Sequence, residues 1–302
     1  MTSRLLTALP IRPPNLLKAR QYEVALKDKT LLMAVVNLTP DSFSSDGRLT
    51  KHNDPSSNTR FIKKLILQGA DIIDLGAEST RPNAQPVSVK EELSRLIPTI
   101  TRLAKTTKVP ISVDTYKPQV VQAALDAGAS IINNVKGIQL DRSLLKMVKD
   151  YEAAIVLMHM RGNPLTMQNK TSYKNLLKEI IQELKVSLEK CLEMGIKKDR
   201  IIIDPGLGFS KTGQQNLEII KNLYQLNVLG CPLLVGPSRK SFIGQITGQN
   251  VEHRLMGTAS AVSLAIAFGA HIVRVHDIAQ MKDVILMSDA IINRSLPRKS
   301  RY

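Results

Sequence analysis

Eight short apolar runs, each breaking off into polar residues, constrain this chain more than any other feature. They are 31-LLMAVVN-37, 72-IIDLGAEST-80, 111-ISVDTYK-117, 131-IINNVKG-137, 155-IVLMHM-160, 201-IIIDPGLGF-209, 233-LLVGPSRKS-241 and 272-IVRVHDI-278. Helical patterns fall at roughly 59–68, 88–105, 117–127, 140–150, 173–194, 213–224, 252–268 and 277–293. A strand of Ile, Val and Leu without polar alternation is buried on both faces, as in a parallel sheet. Eight such units predict an α/β fold, a single (β/α)8 TIM barrel. The chemistry of such barrels sits on the face built by the strand C-terminal ends.

The 302 residues suit one barrel domain of about 250 residues with short extensions. The expected division is an N-terminal extension over 1–30, a barrel over 31–295 and a basic tail over 296–302. Asp28 and Lys29 suggest a turn that pairs 22-YEVAL-26 with 31-LLMAVV-36 in a hairpin plugging the barrel bottom. No run of 18 apolar residues is present, so no membrane span is expected, and residues 1–20 lack the pattern of a signal peptide. Cys191 and Cys231 form no CxxC pair and read as free thiols of a reducing cytoplasm. The net charge of +16 could mean nucleic acid or attraction of anionic small molecules. The excess is scattered, Trp is absent and aromatic residues are 4 %, which leaves little material for base stacking. Nucleic-acid and membrane partners are therefore not expected.

The strand ends carry the chemistry. Asn37 offers a neutral oxygen that could complete the shell of a Mg²⁺ held chiefly by water and phosphate, or could cap a turn. In 76-GAESTRPNA-84, Pro82 holds Arg81 extended, where it suits a carboxylate or phosphate. Glu78 reads as an anchor of that loop and Asp74 as a paired core acid. Asp114, Asn133 and Asp204 end three further strands. Any one alone could be a helix cap; together they favour a flat, donor-rich heterocycle. Cations come from 236-GPSRKSF-242, with Arg239, Lys240 and Ser241, and from 274-RVH-276. Arg274 and His276 alternate and so point the same way. Basic clusters after strands seven and eight argue for a phosphorylated substrate. The glycines of 206-GLGFSKTG-213 let backbone approach a flat ligand, with Phe209 as one wall and Met158 as wall or core. His159 has no second ligand at metal spacing, which argues against zinc.

Six of these segments, in this order, resemble the dihydropteroate synthase family: NLTPDSFS (37–44), GAESTRP (76–82), SVDTYKP (112–118), DPGLGF (204–209), SRKSFIG (238–244) and RVHD (274–277). The resemblance implies a cytoplasmic transferase of folate biosynthesis, a homodimer and a sulfonamide target. It implies that the amine of 4-aminobenzoate displaces diphosphate from 6-hydroxymethyl-7,8-dihydropterin diphosphate, giving 7,8-dihydropteroate with Mg²⁺ as cofactor. By the same resemblance Asn37 contacts metal and diphosphate. Asp114, Asn133, Asp204 and Lys240 hold the pterin beside Met158 and Phe209. Arg274 and His276, with Val275 between them, bind phosphate, and Thr80, Arg81 and Ser241 form the aminobenzoate side. Asn37, Lys240, Arg274 and His276 are the expected catalytic groups.

Some positions depart from the family's pattern. The first loop reads SFSSDGR, which displaces Asp46 by one position and puts Arg48 where a glycine is common. Ala77 and Asn134 replace a glycine and an aspartate. Two rival readings remain at this stage. One is a methyltetrahydrofolate-dependent methyltransferase barrel, which has no need of the phosphate cluster. The other is a basic nucleic-acid-binding protein.

Overall fold

The computed structural model describes residues 16–39, 54–79, 85–136 and 140–293. It opens on an antiparallel hairpin, β1 (Leu16–Ala19) and β2 (Tyr22–Ala25). Then come β3 (Leu31–Asn37), α1 (Pro55–Leu67), β4 (Ile72–Gly76), α2 (Val89–Thr106), β5 (Ile111–Asp114), α3 (Pro118–Ala127), β6 (Ile131–Asn134), α4 (Arg142–Asp150) and β7 (Ala154–Met158). The chain continues through α5 (Leu176–Glu193), β8 (Ile201–Asp204), α6 (Gly213–Lys221), β9 (Leu234–Val235), α7 (Ser241–Thr247), α8 (Leu255–Ala267), β10 (Ile272–Val275) and α9 (Ile278–Asn293). Strands β3 to β10 form one parallel sheet in sequential order. An isolated parallel bridge between Ile203 and Leu233 joins its two ends. The eight strands thus make a nearly closed barrel inside a layer of helices, as the sequence predicts.

The two-residue period of each strand sorts side chains between two cores. Outward positions such as Leu32, Ala34, Ile73, Leu75, Val113, Ile132, Ile155, Ile203 and Val273 pack with the helices. Inward positions near the strand starts, including Met33, Ile72, Ile131, Val156, Ile202 and Ile272, fill the barrel with apolar side chains. One or two steps along the same inward rows the residues become Asn37, Asp74, Asp114, Asn133, Asp204 and Arg274. The interior is therefore dry at one end and polar at the other.

The hairpin differs from the expectation. Residues 22–25 pair with 16–19, not with 31–36, and Arg20 at the tight turn takes φ 55°. Its placement matches the idea of a plug: Leu17, Ala19 and Leu26 join the inward apolar cluster at the barrel bottom. Seven predicted helices lie within a few residues of their observed ends, and α1 starts at Pro55, ahead of the expected 59, because Asp54 caps the amides of Ser56 and Ser57. Gly128 ends α3 at φ 113°, as expected; a Cβ there would lie 2.5 Å from that of Ala104. Asp114 is not a helix cap, since α3 begins from Lys117 with Pro118 at its first turn. The sequence did not foretell α7, a seven-residue helix too short to show a 3.6-residue period.

Candidate active site

The polar mouth is lined by Asp114, Asn133, Val135, Met158, Asp204, Leu207, Phe209, Gly236, Lys240 and Arg274. Seven of these were expected from the sequence: Asp114, Asn133, Met158, Asp204, Phe209, Lys240 and Arg274 meet in one hollow. Val135, Leu207 and Gly236 were not singled out. Each lies within three residues of a strand's end, so the strand pattern carried their signal.

Asp74 organises the floor. It is fully buried and accepts hydrogen bonds from Ser112 Oγ at 2.6 Å, Asn133 Nδ2 at 3.1 Å and Arg274 Nε at 2.7 Å. The expectation of a paired core acid holds, and the pairing has a consequence. Because Nδ2 of Asn133 is used on Asp74, its Oδ1 is the atom left for a ligand. Arg274 reaches across the barrel and also donates from Nη2 to Asp114 Oδ2 at 3.2 Å.

Asp114 Oδ1 is buried with no hydrogen-bond partner among the described residues. Burial pushes the Asp114 carboxyl up to about 7, against the pull of Arg274. Asp204 is also raised by burial, opposed first by the Gly206 amide, which donates to Oδ1 at 2.7 Å, and then by Lys240 and Arg274. Burial draws Arg274 down, but Asp74 and Asp114 outweigh it and the net shift is upward.

An apolar wall faces these charges. Val135, Met158, Met160 and Met167 cluster with Tyr116 and Phe209, and the Lys240 ammonium lies 4.3 Å from the centre of the Phe209 ring. Asn37 sits at the end of β3 beside Gly76. A Cβ on Gly76 would lie 3.6 Å from both Asn37 Oδ1 and Asp114 Cβ, so Asn37 and Asp114 flank the same gap.

Several expectations change. Val275 is fully buried in the helix–strand core, on the opposite side of β10 from Arg274, so its side chain is not a ligand contact. His276 is not a cation near neutral pH. Burial, then Arg274 and Arg239, lower it to about 3, and its Nδ1 lies 3.0 Å from Ser238 Oγ. The Arg239 guanidinium is taken up by Asp277, which leaves Lys240 as the mouth-lining cation of its segment. Ser241 is exposed at the first turn of α7. Asn134 points away from the mouth and accepts from the Lys136 amide at 2.9 Å. Gly206 approaches protein rather than open space: at φ 69°, a Cβ there would lie 2.1 Å from the His159 carbonyl oxygen. Glu78 anchors its loop as foreseen, accepting from Val87 N, Tyr116 Oη and Lys117 Nζ. Thr80, Arg81, Asp46 and Arg48 lie outside the described residues.

With this geometry in place, comparison with known proteins is direct. The family model described as pterin binding enzyme matches residues 33–276. The dihydropteroate synthase of Synechocystis sp. is 43% identical over 264 residues, covering 87% of this chain and 90% of its own. The chain belongs to the dihydropteroate synthase family. A crystal structure of the Yersinia pestis synthase with a sulfonamide drug superposes with TM-score 0.86 at 34% identity, covering 92% of this chain and 99% of that one. The Xanthomonas albilineans synthase with 4-aminobenzoic acid gives 0.84 at 38% identity, covering 94% and 100%. Membership of the synthase family thus displaces the rival reading of a methyltransferase barrel. Among the described residues no helix is long and apolar enough to cross a membrane.

Proposed function

We propose that the mouth binds 6-hydroxymethyl-7,8-dihydropterin diphosphate by the donor edge of its ring and transfers the pterinylmethyl group to 4-aminobenzoate. The unpartnered, buried Asp114 Oδ1 carries this reading, because a buried acceptor without a donor is costly until a ligand supplies one. Asp114 and Asp204 accept ring N–H groups, Asn133 presents Oδ1, and Met158 and Phe209 hold the ring faces. Lys240 and Arg274 carry the positive charge of the mouth.

The reaction forms a C–N bond to the arylamine and breaks the C–O bond to diphosphate. The surplus amine proton is released. The main demand is to stabilise charge developing on the leaving group, which fixed cations meet without reorganising. Arg274 donates two of its five N–H groups to Asp74 and Asp114, so three remain for phosphate oxygens. The neutral His276 adds one N–H donor. A neutral arylamine needs no strong base when C–O cleavage runs ahead of attack.

Among the described residues no cluster of three metal-ligating side chains is present. The single neutral oxygen of Asn37 at the rim fits a cation that arrives already coordinated by diphosphate and water, and Mg²⁺ is such a cation. Bound there it would offset phosphate charge. Thr80, Arg81 and Ser241 are proposed for the aminobenzoate carboxylate side.

We further propose a cytoplasmic homodimer. Cys191 and Cys231 are both free and buried. Met256, Leu264, Leu286, Met287 and Ile291 are exposed on the contacting helices α8 and α9, an apolar face of the kind a second copy covers. Sedimentation of the purified chain tests the dimer, and a monomer at micromolar concentration rejects it. Isothermal titration with the pterin diphosphate, with and without Mg²⁺, tests the main reading. Heat of binding strengthened by Mg²⁺ is expected; no pterin binding under either condition overturns it.

A further inference from the structure

Behind the Phe209 wall lies a chain of ionisable groups, buried at Lys211 and His159 and partly exposed at Glu183 and Arg161, that the reaction above does not use. Lys211, in the loop after β8, is 3% exposed, and its Nζ lies 3.0 Å from His159 Nδ1, 3.3 Å from the His159 carbonyl and 2.9 Å from the Phe209 carbonyl. His159 is fully buried, and its Nε2 lies 3.0 Å from Glu183 Oε2 on α5. Arg161 donates to Glu183 and to Glu179, which holds Glu183 ionised, with its carboxyl lowered to about 2.

This arrangement fixes the protons. An ionised Glu183 needs a donor, so His159 carries its hydrogen on Nε2 and presents Nδ1 as an acceptor. Burial draws the Lys211 amine down to about 7; in its protonated form it has three N–H groups for the three acceptors in reach. Burial keeps the imidazole neutral, with its value lowered to about 4.

The three acceptors belong to two walls of the ligand mouth. His159 directly follows Met158 at the end of β7, and Phe209 stands in the loop after β8. The same loop is pressed onto the His159 carbonyl at Gly206. It is tied further by Gly208 N to Asn216 Oδ1 at 2.7 Å and by Arg161 N to Ser210 Oγ at 3.0 Å. Lys211 also bears electrostatically on Asp204, the acid that starts the loop.

We propose that Lys211, set by the His159–Glu183 pair, is a positioning residue for the pterin: it clamps the β7 end to the loop after β8 and so fixes Phe209 and Met158 around the ring. It touches no substrate. The proposal rests on the pterin reading of the mouth and deepens it.

The test uses the full chain carrying Lys211→Met, which keeps the buried stem and removes the charge and donors. Titration with the pterin diphosphate is paired with the KM for 4-aminobenzoate at saturating pterin. The expected result is a pterin Kd weakened about tenfold or more, with the aminobenzoate KM within about twofold of the parent. Glu183→Gln loosens the clamp from its far end while leaving Lys211 in place, and should weaken pterin binding severalfold with the same split. The double variant should lose less than the sum of the two, as expected for members of one chain. Should Lys211→Met not fold, Glu183→Gln decides alone. A folded variant that binds pterin within twofold of the parent, or that loses both substrates equally, overturns the clamp. A parent chain that binds no pterin would instead sink the underlying reading.

Discussion

Asp114→Asn is the substitution that most directly probes the mouth. It keeps the shape of the side chain and removes its charge. In the protein, Oδ2 accepts from Arg274 at 3.2 Å and Oδ1 has no partner, so the Oδ1 bond to a ring N–H is made only when ligand binds. A hydrogen bond to a charged group is worth about 1.5–3 kcal/mol, which converts to a loss of roughly 10- to 150-fold in pterin affinity. The pH dependence follows from the same group. Its carboxyl is raised to about 7, so below that pH it is protonated and cannot accept at full strength. The advantage of the parent over the Asn variant is thus present above about 7 and lost as pH falls through it. Between pH 8 and 6 the ratio of the two Kd values should shrink by about tenfold. Lys211, which burial draws down to about 7, titrates in the same window but is common to both proteins and largely cancels in the ratio. Isothermal titration at several pH values reads the ratio directly, with proton release by the parent near pH 6.5 as a second signal. A ratio near one at pH 8, or one that does not change with pH, would refute the assignment of Asp114 to the ring edge.

Other perturbations separate the parts of the site. Arg274→Ala removes the guanidinium that joins Asp74 to Asp114; kcat/KM should fall by about 100-fold or more, and near-normal turnover would contradict its phosphate role. Val275→Ala should lower stability by about 2 kcal/mol, as core truncations do, while leaving the pterin KM unchanged; a changed KM would return Val275 to the site. Sulfonamides should compete with 4-aminobenzoate in steady-state kinetics, and purely noncompetitive inhibition would place the second substrate elsewhere.

The strands were legible because a strand covered on both faces must be apolar throughout, and because each run stopped at a residue type that does not belong in such a core. Their places at the strand ends put Asp114, Asn133, Asp204 and Arg274 in one mouth from the sequence alone, and the two-residue alternation of the strands agrees. Applied strictly, it would also have excluded Val275, which lies one step out of phase with Arg274. What stayed hidden depends on contacts between distant residues. Nothing near Arg239 announces that Asp277 takes up its guanidinium. The neutrality of His276 arises from burial and from two arginines around it. The hairpin partner of 22–25 was missed because a four-residue strand carries too little pattern to choose between neighbours. Lys211 reads as one more polar residue of a glycine-rich loop until the fold turns its ammonium inward.

The mouth holds more negative than positive charge among the described residues that line or floor it. Asp74, Asp114 and Asp204 stand against Lys240 and Arg274. Such an excess normally destabilises a fold; Asp114, raised first by burial and opposed by Arg274, is pushed up further by Asp74. It becomes useful when a ligand brings donors on one edge and phosphate on its tail. On the proposed reading the N–H edge would meet the surplus carboxylates, while the tail would meet the N–H groups of Arg274 not used on Asp74 and Asp114. One guanidinium would then link ring recognition to leaving-group stabilisation. Its planar fork can face two carboxylates and still present donors outward, which a lysine ammonium, with three donors on a single atom, could not do in that geometry. On that reading, grip on the ring edge would hold Arg274 where charge develops on the departing diphosphate. This places the catalytic demand on position and field rather than on a proton acceptor, consistent with a mouth whose acids all face donors or the ring edge.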